Sequence, residues 1–214
     1  MRIGVLISGG GTNLQALIDL CQAGSVNAEI VLVLSNVATA FGLERAKRGS
    51  IPTQVIEHKG YDGRGPFDKA MIQALDGAGV DLVCLAGFMR LLTPEFVRHF
   101  SGRLINIHPA LLPAFPGLHV QQQAIDAGVR FSGATVHFVD EGMDTGPIIA
   151  QAVVPIMLED DADALAARIL KQEHRLYPLA VRLFAENRVR LIDGKVEISD
   201  CAQDPEGAMI NPPC

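Results

Sequence analysis

Apolar residues in this chain fall into two alternating patterns. Arg2–Ser8, Glu29–Leu34 and Asp81–Leu85 are short apolar runs without polar alternation, as expected of strands buried on both faces of a parallel sheet. Between them, Thr12 to Cys21 places Leu14, Leu17, Ile18 and Cys21 at helical spacing, with Thr12 as the expected cap. Ala40 to Arg48 predicts a helix ended by Gly49, Thr53 to Ile56 a strand, and Phe67 to Ala78 another helix. Strands alternating with helices imply βαβ units and right-handed crossovers. The fold class predicted is α/β: a doubly wound, mostly parallel central sheet with helices on both faces.

Further along, Leu104 and Ile105 end a short strand, and Thr93-Pro94-Glu95 starts a helix before it. His119 to Ala127 reads as a helix and Gly133 to Asp140 as a strand, with Thr135, His137 and Val139 on one face. Pro147 to Ile156 is extended. The helical pattern of Ala162 to Asn187 is interrupted at Tyr177-Pro178, which predicts two helices or one kinked helix. Val189 to Ile198 reads as a hairpin turning at Asp193-Gly194. Residues 1–198 are expected to form one domain, and 199–214, with Pro205, Pro212 and Pro213, a loosely ordered tail.

Composition narrows this picture. With 49% hydrophobic but only 5% aromatic residues, the core must be aliphatic. A net charge of −6, from 18 basic and 24 acidic residues, argues against a general nucleic-acid surface. Cys21, Cys84, Cys201 and Cys214 form no CxxC pair, and Cys21 and Cys84 read as small buried apolar residues rather than a disulfide framework or zinc site. The amino terminus enters a strand without a signal-peptide pattern, and no apolar run approaches membrane-spanning length. A soluble, cytoplasmic protein is expected.

Candidate chemistry gathers at the ends of the strands. After the first strand, Gly9-Gly10-Gly11-Thr12-Asn13 joins a glycine turn to a helix start, which presents free N–H groups to an anion. Walker A fails because no lysine follows the glycines, and a dinucleotide fold fails because the second strand ends in Ser35 and Asn36 rather than an acid. The turn is therefore either a phosphate site for a small substrate or a purely structural bend. Gly87–Leu92 is either core or a wall for a flat ring whose polar edge is read by loop amides. Arg64 falls on a polar, glycine-flanked loop, where a solvated arginine is the ordinary reading. Asn106 and His108 lie two residues apart and point the same way from an extended backbone, before a loop stiffened by Pro109, Pro113 and Pro116. A carboxamide can donate to an oxyanion, and an imidazole can donate or accept a proton. Asp144, in a glycine-rich loop, could orient that ring. His137 reads as a structural side chain on a sheet face, and His119 is ambiguous.

Taken together, VLISGGGTNLQALI, SNVATAFGLERA, LAGFMRLL, INIHPALLPAFPGLH, GATVHFVDEGMDTGPII and Gln172-Glu173-His174 with Tyr177-Pro178 resemble the phosphoribosylglycinamide formyltransferases of purine synthesis, over roughly residues 1–198. That resemblance implies a catalytic group of Asn106, His108 and Asp144. It implies a glycinamide ribotide site at Gly11, Thr12, Asn13, Leu170, Lys171, Gln172 and Glu173, with Glu173 on the ribose. The co-substrate 10-formyltetrahydrofolate would lie against Arg64, Met89, Arg90, Leu91, Leu92, Asn106, Asp140, Glu141, Gly142, Met143 and Asp144. A cis Leu112-Pro113 bond is also implied, and no metal is required. The expected partners are small molecules, with no nucleic acid or membrane, and the chain is expected to be a monomer or weak homodimer.

Sister enzymes reuse the same side chains. A formyltetrahydrofolate hydrolase would be expected to carry an amino-terminal regulatory domain. A methionyl-tRNA formyltransferase would carry a further carboxy-terminal domain and a basic surface. A sugar-nucleotide formyltransferase is not excluded by length, though the glycine turn and Glu173 suit a ribose phosphate better. A folate- or nucleotide-binding regulator without catalysis is the non-enzyme alternative, and intact Asn106, His108 and Asp144 argue against it.

Overall fold

A computed structural model describes residues 1–200 of the chain, so Cys201, Cys214 and almost all of the expected tail lie outside the described residues. Seven strands form one sheet: β1 (Arg2–Ile7), β2 (Glu29–Ser35), β3 (Thr53–Val55), β4 (Leu82–Leu85), β5 (Leu104–His108), β6 (Phe131–Phe138) and β7 (Ile148–Pro155). Their order is β3-β2-β1-β4-β5-β6-β7. The pairs from β3 to β5 are parallel, whereas β5–β6 and β6–β7 are antiparallel. The mostly parallel sheet expected from the apolar runs is therefore present, with one reversed strand, β6, set between β5 and the edge strand β7.

Helices cover both faces. On one lie α1 (Thr12–Gln22), α2 (Phe41–Arg48), α5 (Val120–Asp126) and α6 (Ala162–Ala185); on the other lie α3 (Arg64–Gly77) and α4 (Pro94–His99). Strand alternation assigns the side chains. Ile3, Val5 and Ile7 of β1 enter the first core with Leu14, Leu17 and Ile18, while Leu6 enters the second with Phe67, Met71 and Leu75. Gly4 lets that second face pack closely, since a Cβ there would approach Leu75 Cδ2 to 2.6 Å and force it to shift. Cys84 is fully buried, and the loss of solvent pushes its thiol up to about 12, consistent with an inert core residue.

Several boundaries differ from the sequence reading. Gly11, not Thr12, is the N-cap of α1; its left-handed backbone (φ 69°) makes the corner, and no side chain caps the helix. Arg64 is not on a loop but in the first turn of α3, which begins three residues before Phe67. Asn106 and His108 belong to β5 itself rather than following it. The interrupted pattern at Tyr177-Pro178 resolves into a single helix, α6, which runs through Pro178. Tyr177, Ala180 and Val181 around that proline are fully buried, so tertiary packing carries the helix across the missing N–H. Beyond it, β8 (Val189–Ile192) and β9 (Lys195–Ile198) form the expected hairpin, with positive φ at both Asp193 and Gly194.

Candidate active site

Sheet order, rather than chain order, assembles the site. Because β4 lies between β1 and β5, the turn at Gly9–Gly11, the segment Gly87–Leu92 and the end of β5 become neighbours at one edge. A cavity of about 240 Å³ opens there, lined by Ser8 to Asn13, Ala86, Gly87 and Met89. Ser8 shapes its floor: its N–H donates to Gly87 O (3.1 Å) and its Oγ accepts from the Met89 amide (2.8 Å). The Met89 amide is thus already occupied and is not free to read a ligand edge. Met89 and Leu91 are exposed, so these two side chains are not core.

Antiparallel pairing of β5 with β6 supplies the chemistry. Asn106 stands opposite His137, and His108 opposite Thr135, so all four side chains share one face. His137 Nδ1 lies 2.8 Å from Phe138 O and must donate to it, which leaves Nε2 as an acceptor for Asn106 Nδ2 at 3.3 Å. Burial depresses the His137 pKa, ahead of weaker effects from Phe138 O and Asp144, and favours the neutral ring. Its Nε2 is also 3.8 Å from Asp144 Oδ1, but a neutral nitrogen bonded by Asn106 forms no ion pair there. One Asn106 N–H is therefore fixed on His137, and the second remains available.

His108 Nε2 donates to Phe115 O at 2.9 Å, which turns Nδ1 toward Asp144 Oδ2 at 3.5 Å. Asp144 has a left-handed backbone (φ 55°), a conformation Asp tolerates better than most residues, and its Oδ2 accepts from the Gly117 amide at 2.9 Å. Thr135 ties down the loop between them: its hydroxyl donates to Ala110 O (2.7 Å) and accepts from Leu112 N (3.1 Å). The Leu112-Pro113 bond in this loop is cis.

Helix α6 reaches the glycine turn from the side. Asn13 Nδ2 donates to Glu173 Oε2 at 2.8 Å, and the buried Asn13 Oδ1 has no partner among the described residues. Burial raises the Glu173 pKa, opposed by the Asn13 hydrogen bond and then by His108. One helical turn on, the buried Tyr177 hydroxyl is 3.0 Å from Leu85 O and 3.3 Å from Ile105 O, pinning α6 over β4 and β5.

The remaining sequence candidates divide. Leu170 and Glu173 share a helix face, whereas Lys171 is exposed and Gln172 accepts from Arg175 at 3.0 Å. Asp140 Oδ1 accepts from Gly142 N (3.0 Å) and Thr145 Oγ1 (2.8 Å), which folds the Asp140–Asp144 loop, while Glu141 pairs with Arg98 at the surface and Met143 is exposed. Arg64 is exposed; with Arg90 it acts on buried Asp68, whose pKa is raised by burial and which accepts from Thr93 N at 2.6 Å. His119 is exposed at the N-cap of α5. Sequence reasoning missed His137 as the partner of Asn106, because only the β5–β6 register reveals it. Among the described residues no cluster of three or more His, Cys, Asp or Glu is placed to hold a metal ion, and no helix is long and apolar enough to cross a membrane.

A doubly wound sheet with polar side chains and a glycine turn gathered where its parallel strands end defines a class: α/β proteins whose ligands sit at the carboxyl ends of the strands. Residues 1–181 match the formyl transferase family, and the chain belongs to that family. It is 44% identical over 207 residues to phosphoribosylglycinamide formyltransferase of Escherichia coli K12, covering 97% of this chain and 98% of that one. It is 53% identical over 197 residues to the trifunctional purine biosynthetic protein adenosine-3 of Drosophila melanogaster, covering 91% of this chain but only 14% of that much longer protein. The crystal structure of glycinamide ribonucleotide transformylase 1 from Symbiobacterium toebii superposes with a TM-score of 0.91 at 50% identity, over 92% of this chain and 93% of that one.

Proposed function

We propose that this protein transfers the formyl group of 10-formyltetrahydrofolate to the amine of N1-(5-phospho-D-ribosyl)glycinamide, in purine biosynthesis, by direct attack through a tetrahedral intermediate. The observation that carries the reading is the placing of Asn106 and His108 on one sheet face with the loop carboxylate of Asp144 against the His108 ring, beside a glycine turn joined to Glu173 through Asn13. In this reading the helix-start amides of Gly11, Thr12 and Asn13 hold the phosphate, and Glu173, with Leu170, Lys171 and Gln172 flanking it, borders the ribose. Arg64, Met89 to Leu92 and Asp140 to Asp144 hold the folate.

The amine lone pair attacks the formyl carbon, forming the new C–N bond as the carbonyl oxygen becomes an oxyanion. The free Asn106 N–H and a His108 Nδ1–H donate to it; His137 keeps the carboxamide from rotating, and Phe115 O fixes the ring. Asp144 stabilises the imidazolium and, through water, accepts the proton of the attacking amine. Collapse of the oxyanion breaks the bond to the folate nitrogen, which takes up, through the same water, the proton that Asp144 received from the amine, so the site returns to its starting state. Neither step needs a covalent enzyme intermediate, because the two substrates react side by side. We propose a cytoplasmic monomer or weak homodimer of one domain over residues 1–198.

Folate absorbance, followed during incubation with and without the ribotide amine, tests the reaction. Amine-dependent change with one formylated ribotide formed per folate released is expected. Change without the amine would replace transfer by hydrolysis, and no change would leave a binding protein.

A further inference from the structure

The run Gly9-Gly10-Gly11 is too flexible to hold an anion by itself, since glycine restricts neither φ nor ψ. Helix α2 restrains it. The Gly42 amide donates to Gly9 O at 3.0 Å, and Arg45 Nε donates to Gly10 O at 2.9 Å. That approach needs glycine on both sides: a Cβ on Gly11 would lie 2.6 Å from Gly42 Cα, and one on Gly42 would lie 2.5 Å from Ile7 Cδ1. In a planar trans peptide C=O and N–H point oppositely, so holding the Gly9 and Gly10 carbonyls toward α2 turns the Gly10 and Gly11 N–H groups away from it.

Arg45 joins three elements. Its guanidinium stacks over Phe41 (5.1 Å) and reaches Gln15 Oε1 at 3.3 Å on α1. Arg2, Arg98, Arg168 and Arg188 each pair with a carboxylate, whereas Arg45 forms no such ion pair among the described residues. Its charge remains available to the groove of about 330 Å³ that it lines with Thr12, Gln15, Ala16, Asp19 and His174. Desolvation and then Arg45 depress the His174 pKa, so the charge is felt across that groove.

We infer that Arg45 is a positioning residue for the substrate phosphate: it locks the Gly10-Gly11 peptide so that the turn presents its amides, and it adds a positive charge that no direct ion pair among the described residues neutralises, with Asp19 across the groove. This rests on the proposed ribotide site. It is tested with Arg45→Met and Arg45→Lys, with Arg48→Met as a control on the same Phe41 ring.

Arg45→Met is expected to raise the KM for the phosphorylated amine about tenfold or more, the scale of losing one charge-assisted hydrogen bond. Turnover number, the KM for folate, and kcat/KM for the dephosphorylated amine are expected to stay at wild-type values; Arg45→Lys falls between, and Arg48→Met matches wild type. Equal losses on both amines, or an unchanged KM for the phosphorylated one, would overturn the assignment. Ribose 5-phosphate binding, measured calorimetrically without folate, separates the two possible failures. A wild-type protein that binds it but transfers no formyl group refutes the reaction only; an Arg45→Met protein that binds it as tightly as wild type refutes the role of Arg45.

Discussion

Replacing Asp144 by Asn removes a charge from the candidate site while preserving its shape. Asn tolerates the left-handed backbone found there (φ 55°), and its carbonyl oxygen can still accept the Gly117 amide. What disappears is the attraction between a carboxylate and an imidazolium whose Nδ1 is 3.5 Å away. At that separation Coulomb's law gives about 5 kcal/mol for an effective dielectric of about 20, and about 1 kcal/mol in bulk water. Asp144 has a side chain only 15% exposed, so the value lies toward the first limit. If the imidazolium matters mainly in the transition state, most of this difference enters kcat, a fall of about 10²- to 10³-fold. The assay is initial-rate folate absorbance at saturating amine, together with the folate dissociation constant and a thermal melt. The melting temperature should change little, and the fall in kcat should exceed any loss of folate affinity from this loop. A kcat within threefold of wild type, in a folded protein that still binds folate, would refute charge stabilisation by Asp144.

Other perturbations probe separate links. Burial raises the Glu173 pKa, so the folded chain binds its proton more tightly than the unfolded chain does, and stability falls as pH rises from 4.5 through the folded value. Glu173→Gln should remove that component, and denaturant titrations across this range that stay parallel for the two proteins would contradict it. Tyr177→Phe should lower stability by about 1–2 kcal/mol through loss of the buried hydroxyl contacts to Leu85 O and Ile105 O, seen as a lower denaturation midpoint at constant slope. Arg64→Ala should weaken folate binding without altering the amine KM; an unchanged folate dissociation constant would remove Arg64 from that site.

The strands were legible because a parallel sheet covered on both faces needs continuous apolar runs, and Arg2–Ser8 and Glu29–Leu34 have no other reading at that length. The helices between them were legible to within a few residues, but their caps were not. Thr12 is a better capping side chain than Gly11, yet the corner demands a left-handed residue, and that demand comes from the close passage of α2 at Gly42. Pro178 left two helices or one kinked helix open for a related reason: the local rule disfavours a helix there, and the burial of Tyr177, Ala180 and Val181 around it keeps one helix continuous.

Asn106 and His108 announced a shared direction through their two-residue spacing, a purely local property of extended chain. Nothing local announces that His137 will stand opposite Asn106, since that pairing is set by the register of β6 against β5, 31 residues away in sequence. The meeting of Asp144 with His108 is likewise a loop-closure event between segments with no shared periodicity, and the path of Arg45 to Gly10 crosses from one helix to another's start. Sequence alone thus determined which segments are buried, which way neighbouring side chains point, and where the chain must turn, because those follow from local sterics and hydrophobicity. Tertiary structure decided which distant polar groups meet, because that depends on sheet order and register, and these are fixed only when the whole core packs at once.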